Sequence, residues 1–169
     1  RRLKHVLCGG TEKGTVIMTK LYLITGFLGA GKTTFLHQFV RLFPDRRTAI
    51  VVNEFGKQGV DGTLLEDLDI KVEEINNGSI FCACKIEQFE DALLRLQQEN
   101  FDVIFVEASG LSDPTAVGTI LRQRDKFPDL EYAGAICLVD GARFMTVYKT
   151  ARVCRMQLAI SDMIIINKC

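Results

Sequence analysis

Tryptophan is absent from the 169 residues, and the aromatic side chains are mostly Phe, scattered at core-like spacings. No apolar run approaches the ~18 residues of a membrane span, so no membrane partner is expected. Neither sign of charge is in excess: Lys plus Arg and Asp plus Glu stand at 21 each. No global field therefore argues for nucleic acid. Six cysteines (Cys8, Cys82, Cys84, Cys137, Cys154 and Cys169) follow no disulfide-framework spacing, and no credible signal peptide precedes them. Internal repeats and low-complexity segments are missing too. What remains is the profile of a soluble globular protein, 47% apolar and 25% charged, with a length that suits one domain and a real core.

One stretch organises the rest. Leu21-Tyr22-Leu23-Ile24-Thr25 is a short apolar run. It leads into Gly26-Phe27-Leu28-Gly29-Ala30-Gly31-Lys32-Thr33-Thr34, and a helix-period segment with Phe35, Leu36, Phe39, Val40 and Phe43 follows. Strand, glycine turn and helix together satisfy G-x-x-x-x-G-K-[ST], the phosphate-binding P-loop. Glycines let successive N–H groups turn inward as an anion nest. A helix starting at Thr33 aims its positive end at the same point. Lys32 is the candidate for the β- and γ-phosphates, and Thr33 for Mg²⁺. Backbone N–H groups of Gly29, Ala30, Gly31, Lys32, Thr33 and Thr34, entered through Gly26, form the cradle. Such a protein works on cytosolic nucleotide, so a cytoplasmic setting with reduced thiols is expected.

Residues 1–17 look foreign to this fold. Arg1, Arg2, Lys4 and His5 make a basic start and Val6-Leu7 is too short for a signal core. We read 1–17 as a disordered tail or an upstream artefact, and Met18 as a candidate natural start. After the first helix Pro44-Asp45 breaks the chain. Thr48–Val52 carries no charge, the pattern of a strand buried on both faces. Asn53–Gly62 is a glycine-punctuated loop, Ile70–Ile75 a further strand, and Asn76-Asn77-Gly78 a turn into Ser79–Cys84. Ile86, Phe89, Leu93 and Leu96 mark one stripe of an amphipathic helix. Phe101–Val106 and Ala133–Val139 read as buried strands. Asp113 and Pro114 open a helix between them. A single helix over roughly Arg143–Leu158 and a buried strand Met163–Ile166 complete the chain. Strands alternating with helices predict a three-layer α/β fold with a mostly parallel sheet. Because the chain ends directly after a strand, further strands and a C-terminal domain are expected beyond it.

Two further places carry chemistry. Glu107 closes an apolar strand, where a carboxylate can contact Mg²⁺ or its water. Gly110, three residues on, can offer its N–H to the γ-phosphate and sense its loss. Without a P-loop, a turn carboxylate would be the simpler account. Asn167-Lys168 follows the last strand. GTPases read guanine through N-K-x-D, where Asn bonds the base edge and the Lys stem packs over the ring; the deciding Asp would fall at position 170.

Taken together, these stretches resemble the CobW-type GTPases, metallochaperone-group P-loop GTPases that include HypB and UreG relatives. Asn53-Glu54-Phe55-Gly56, Glu107-Ala108-Ser109-Gly110-Leu111-Ser112-Asp113-Pro114 and Val139-Asp140-Gly141-Ala142 add to the P-loop and Asn167-Lys168. Glu107 stands where most GTPases carry Asp, a hallmark of the group. The resemblance implies a SIMIBI-type G domain over 18–169, with Mg²⁺ and GTP or GDP bound. It implies slow GTP hydrolysis coupled to metal or cobalamin-type cofactor insertion, and a metalloprotein or cofactor-pathway client. In that scheme Lys32 and Glu107 are catalytic, Asn53–Asp61 is the first switch and Gly110 the second. No arginine finger is visible, so low intrinsic turnover is expected, with a homodimer or another partner as activator.

One departure bears on the metal. The family's G-C-x-C-C motif falls on Gly78-Ser79-Ile80-Phe81-Cys82, so Ser79 and Phe81 replace two thiols. Cys82 remains and Cys84 follows. Two thiols supply half a tetrahedral Zn²⁺ or Co²⁺ site, with Glu54 or a second subunit completing it; ordinary loop thiols are the plainer alternative. Lys57 stands where relatives often have a carboxylate. His5 and His37 add no ligand, and Cys137, inside an apolar run, is expected to be buried. Two rivals stay open: an ATP-dependent P-loop kinase or ligase, and a nucleotide-gated metal carrier with negligible hydrolysis.

Overall fold

Uncharged β-branched runs need cover on both faces, and Thr48–Val52 and Val103–Val106 receive it. The computed structural model describes residues 18–52, 70–75 and 83–169. Within them lie β1 (Thr19–Thr25), β2 (Thr48–Val52), β3 (Lys71–Glu74), β4 (Val103–Glu107), β5 (Leu130–Asp140) and β6 (Met163–Asn167). The helices are α1 (Lys32–Val40), α2 (Ala83–Gln97), α3 (Thr115–Leu121), α4 (Phe144–Thr150) and α5 (Arg152–Ala159). The strands form one sheet in the order β3-β2-β4-β1-β5-β6, and every pairing is parallel. The architecture is three-layer α/β.

Period-two alternation distributes the core. Leu21, Leu23, Ala49, Val51, Ile104 and Val106 face one side, where Phe89, Leu93 and Leu96 of α2 and Val117 of α3 meet them. Ile24, Ile50, Val52, Phe105, Ile136 and Leu138 face the other, covered by Leu36 and Val40 of α1. Phe39 sits edge-on to Phe105 at 5.6 Å and stacks with Phe35 at 5.0 Å. This aromatic set fixes α1 against the sheet and with it the loop that precedes α1.

Strand order decides where a ligand can bind. From β1 the chain moves past β4's position to β2, whereas from β4 it crosses to β5 on the other side of β1. The carboxyl ends of β1, β4 and β5 therefore surround a topological switch point, the crevice that open α/β sheets use for ligands.

Three expectations change. The helix expected over Arg143–Leu158 is two helices, because Ala151 leaves helical geometry at φ −103°, ψ 109°. The break re-aims α5 so that Cys154 and Gln157 turn inward, while α4 buries no residue fully. The strand expected to be buried at Met163–Ile166 is β6 (Met163–Asn167), last in the sheet among the described residues. Among those residues it pairs with β5, and Met163, Ile164 and Ile166 are exposed. The helix that carries the Ile86 stripe begins earlier, at Ala83, so Cys84 falls in the first turn of α2. The segments 1–17 and Asn53–Gly62, with Glu54 and Lys57, lie outside the described residues, as do Ser79, Phe81 and Cys82.

Candidate nucleotide site

The loop between β1 and α1 is shaped by glycines with left-handed backbone. Gly31, the residue capping α1, has φ 91°, and Gly26 has φ 136°. Both positions are also crowded. A Cβ on Gly26 would lie 2.3 Å from the Leu138 carbonyl oxygen, and one on Gly31 2.5 Å from Asn167 Nδ2. At Gly26 the obstacle is backbone, which cannot yield, whereas at Gly31 it is a side chain that would have to move, on top of the left-handed φ at both positions. α1 begins at Lys32 directly after the loop, and the first N–H groups of a helix have no intrahelical partner. Ala30 is buried, Gly29 is exposed and Thr34 is on the exposed side of α1.

Lys32 is 8% exposed and its Nζ donates to the Gly26 carbonyl at 3.0 Å. Parallel pairing sets Glu107 of β4 opposite Ile24 of β1. From there its Oε1 accepts a 2.9 Å hydrogen bond from Thr33 Oγ1. Burial lowers the Lys32 ammonium's pKa, opposed by the Glu107 and Cys137 charges. Burial likewise raises the Glu107 carboxyl, opposed by the Thr33 hydrogen bond and the Lys32 charge. Burial thus disfavours the charged form of each group, while each charge favours the other.

The remaining expected parts converge on the same loop. A Cβ on Gly110 would meet the Leu28 nitrogen at 2.6 Å and Lys32 Nζ at 3.0 Å, so this glycine lies directly on the P-loop. Asn167 Nδ2 donates to the Ala30 carbonyl at 3.0 Å, and Lys168 Nζ to the Gly29 carbonyl at 2.6 Å. Lys168 also pairs with Asp140 at 3.6 Å. The Gly141 N–H donates to the Asn167 carbonyl at 2.8 Å, zipping the two strand ends together. A cleft of about 480 Å³ opens beside the loop, bounded by Phe27, Leu28, Cys137, Phe144, Val147 and Gln157.

Sequences matching the CobW/HypB/UreG nucleotide-binding domain cover residues 20–169 of this chain. The chain belongs to that family. Among curated relatives it is similar to the Escherichia coli K12 zinc chaperone YeiR, 35% identical over 154 residues, spanning 89% of this chain and 47% of that protein. The zinc chaperone YjiA of the same organism is 31% identical over 153 residues, spanning 86% and 48%. The chain thus spans about half the length of the curated relatives it matches. The Zn(II)-bound YjiA GTPase crystal structure superposes with a TM-score of 0.64 at 24% identity, covering 88% of this chain and 49% of that one. The hydrogenase maturation factor HypB from Archaeoglobus fulgidus gives 0.59 at 18% identity, over 89% and 66%. These likenesses show the P-loop α/β fold of the CobW group.

For this CobW-family domain, sequence reasoning missed Gln157. It is fully buried on α5, and its Nε2 donates to the carbonyls of Gly110 at 3.2 Å and Ser112 at 3.4 Å. A lone Gln in a helical pattern gives no signal of this, since the partners lie 47 and 45 residues away. Among the described residues its Oε1 has no hydrogen-bond partner. Cys137 is buried as expected, and burial raises its thiol to about 11. Of the expected metal-loop residues, only Cys84 has a described backbone. Among the described residues no three His, Cys, Asp or Glu side chains gather to hold a metal ion, and no helix is long and apolar enough to cross a membrane.

Proposed function

We propose that this domain, residues 18–169, binds Mg·GTP and hydrolyses it slowly in the cytoplasm. Its nucleotide state then drives the insertion of zinc, or another metal, into a metalloprotein or cofactor-pathway client. One observation carries the nucleotide part: Thr33, in the first turn of α1, and Glu107, at the end of β4, share a hydrogen bond at the mouth of the glycine loop. A hydroxyl and a carboxylate beside a phosphate nest make an oxygen-only donor set that suits Mg²⁺. When bound, Mg²⁺ would neutralise charge on the β- and γ-phosphates.

Each residue then has a defined task. Lys32 and the backbone N–H groups of 29–34 hold the phosphates. Glu107 would orient the attacking water, or help to hold Mg²⁺ through a water. Gly110 reports the γ-phosphate, and Asn167 and Lys168 read guanine from above the loop they brace. Cargo metal goes to Cys82 and Cys84, with Glu54 or a second copy of the chain supplying further ligands. Two relatives are named zinc chaperones and one was crystallised with Zn(II), which supports zinc as the cargo.

Competition binding between GTP and ATP tests the base, and a clear ATP preference rejects guanine in favour of a kinase or ligase. Single-turnover phosphate release with and without Lys32→Ala tests the chemistry. Equal slow release from both proteins would remove hydrolysis from this site and leave a nucleotide-gated carrier. Zn²⁺ titration of the Cys82→Ser, Cys84→Ser double variant tests the cargo loop, which unchanged affinity would eliminate.

A further inference from the structure

We propose that Gln157 is a positioning residue that sets how the Gly110–Ser112 loop responds to the γ-phosphate. This rests on the nucleotide reading above. α5 turns only Cys154 and Gln157 fully inward. An inward helix position one turn from a buried thiol calls for an apolar side chain, yet it holds an amide with no exposed surface. Packing alone does not account for that choice, because burying an amide is unfavourable unless its hydrogen bonds are made. The bonds it makes are directed at one loop. Both hydrogens of Nε2 are committed to carbonyls of that loop, those of Gly110 and Ser112.

The peptide unit is a rigid plane. Anchoring the Gly110 carbonyl therefore sets the plane between Gly110 and Leu111; the Gly110 N–H lies in the preceding plane and is coupled to this anchor through the φ and ψ of Gly110. Gly110 rests on the Leu28 main chain and Lys32 Nζ on its other side, so the loop is held between the P-loop and α5. The unpartnered Oε1 completes the device. If the plane turns over, the Leu111 N–H replaces the Gly110 carbonyl, and the same amide can rotate to accept from it. Gln157 also borders the cleft of about 480 Å³. One side chain can thus serve two loop arrangements, the requirement for a two-state element.

The test uses the intact protein and two fluorescent ligands, methylanthraniloyl-GDP and its non-hydrolysable methylanthraniloyl-GMPPNP counterpart, each with Mg²⁺. Gln157→Leu keeps the bulk and removes the donors. The expected result is a roughly five- to tenfold fall in triphosphate affinity with diphosphate affinity unchanged. Equal affinities to wild type for both ligands, or equal losses for both, would overturn the proposal and leave Gln157 as a structural residue. Should the leucine variant fail to fold, Gln157→Met, unbranched and of similar length, is read the same way. A wild-type protein that binds neither ligand rejects the nucleotide site itself, and this inference with it.

Discussion

Thr33 and Glu107 are 74 residues apart in the chain, yet the threonine hydroxyl donates to the carboxylate at 2.9 Å. The contact exists because β4 pairs directly with β1, and Glu107 ends its strand opposite Ile24. Had another strand been inserted between them, the carboxylate would stand about 4.8 Å further away and the pair could not form.

Replacing Glu107 with Gln retains the acceptor for Thr33 and removes a charge that burial disfavours. Phosphate release is expected to fall about 10²-fold. Nucleotide-free thermal stability is expected to rise by about 1 kcal/mol, or about 2–4 °C. The sign follows from linkage. Burial raises the folded-state pKa of Glu107, so its contribution is most favourable below the ordinary carboxylate range and is lost as pH rises through the folded value. Melting temperatures of wild type and Glu107→Gln across that window should therefore diverge as pH increases. Parallel curves would contradict the assignment.

The glycines separate backbone conformation from space. Gly29 has φ 78° with nothing within 4 Å of an added Cβ, whereas at Gly31 (φ 91°) the Cβ meets Asn167 Nδ2. Gly29→Ala should cost only the left-handed penalty, about 1–2 kcal/mol. Gly31→Ala should cost more and also displace Asn167 from Ala30. Denaturant unfolding of both variants, with nucleotide affinity alongside, gives the comparison; equal effects would mean that the Asn167 contact is unimportant.

Asn167→Ala deletes the donor to the Ala30 carbonyl. Stability is expected to drop by about 1 kcal/mol. In a binding assay the affinity for GDP should fall at least tenfold, while the preference for guanine over adenine narrows. Retained preference with weakened affinity would limit Asn167 to bracing the loop.

Thiol reactivity should separate the described cysteines. Cys169 is exposed, while Cys137 is buried with its thiol held near 11. A small disulfide reagent at pH 8 should modify Cys169 within the mixing time and Cys137 only after unfolding, as read by peptide mass spectrometry. Rapid modification of Cys137 in native protein would show that the cleft beside it opens to solvent.

Local pattern was enough wherever the structure depends on neighbours in sequence. Thr48–Val52 forms β2 with the bounds its uncharged run predicts, because a strand buried on both faces tolerates no charge. Asp113 accepts from the Thr115 N–H at 2.9 Å just ahead of α3, as a capping carboxylate should. Pattern failed where partners are distant. The helical run from Arg143 contains no Pro or Gly to mark the break at Ala151. That break comes with the demand that Cys154 and Gln157 face inward.

The amino-acid sequence by itself determined the chemistry of the phosphate loop, since Gly26, Gly31, Lys32 and Thr33 act through local backbone geometry and fixed spacing. It also determined the family, through motifs whose order along the chain is readable without coordinates. Only the tertiary structure decided which residues meet that loop: Glu107 on Thr33, Asn167 on Ala30, Lys168 on Gly29, and Gln157 behind Gly110. Those contacts follow from strand order and from the turn at Ala151, long-range choices made by burial of whole faces rather than by any single residue's preference.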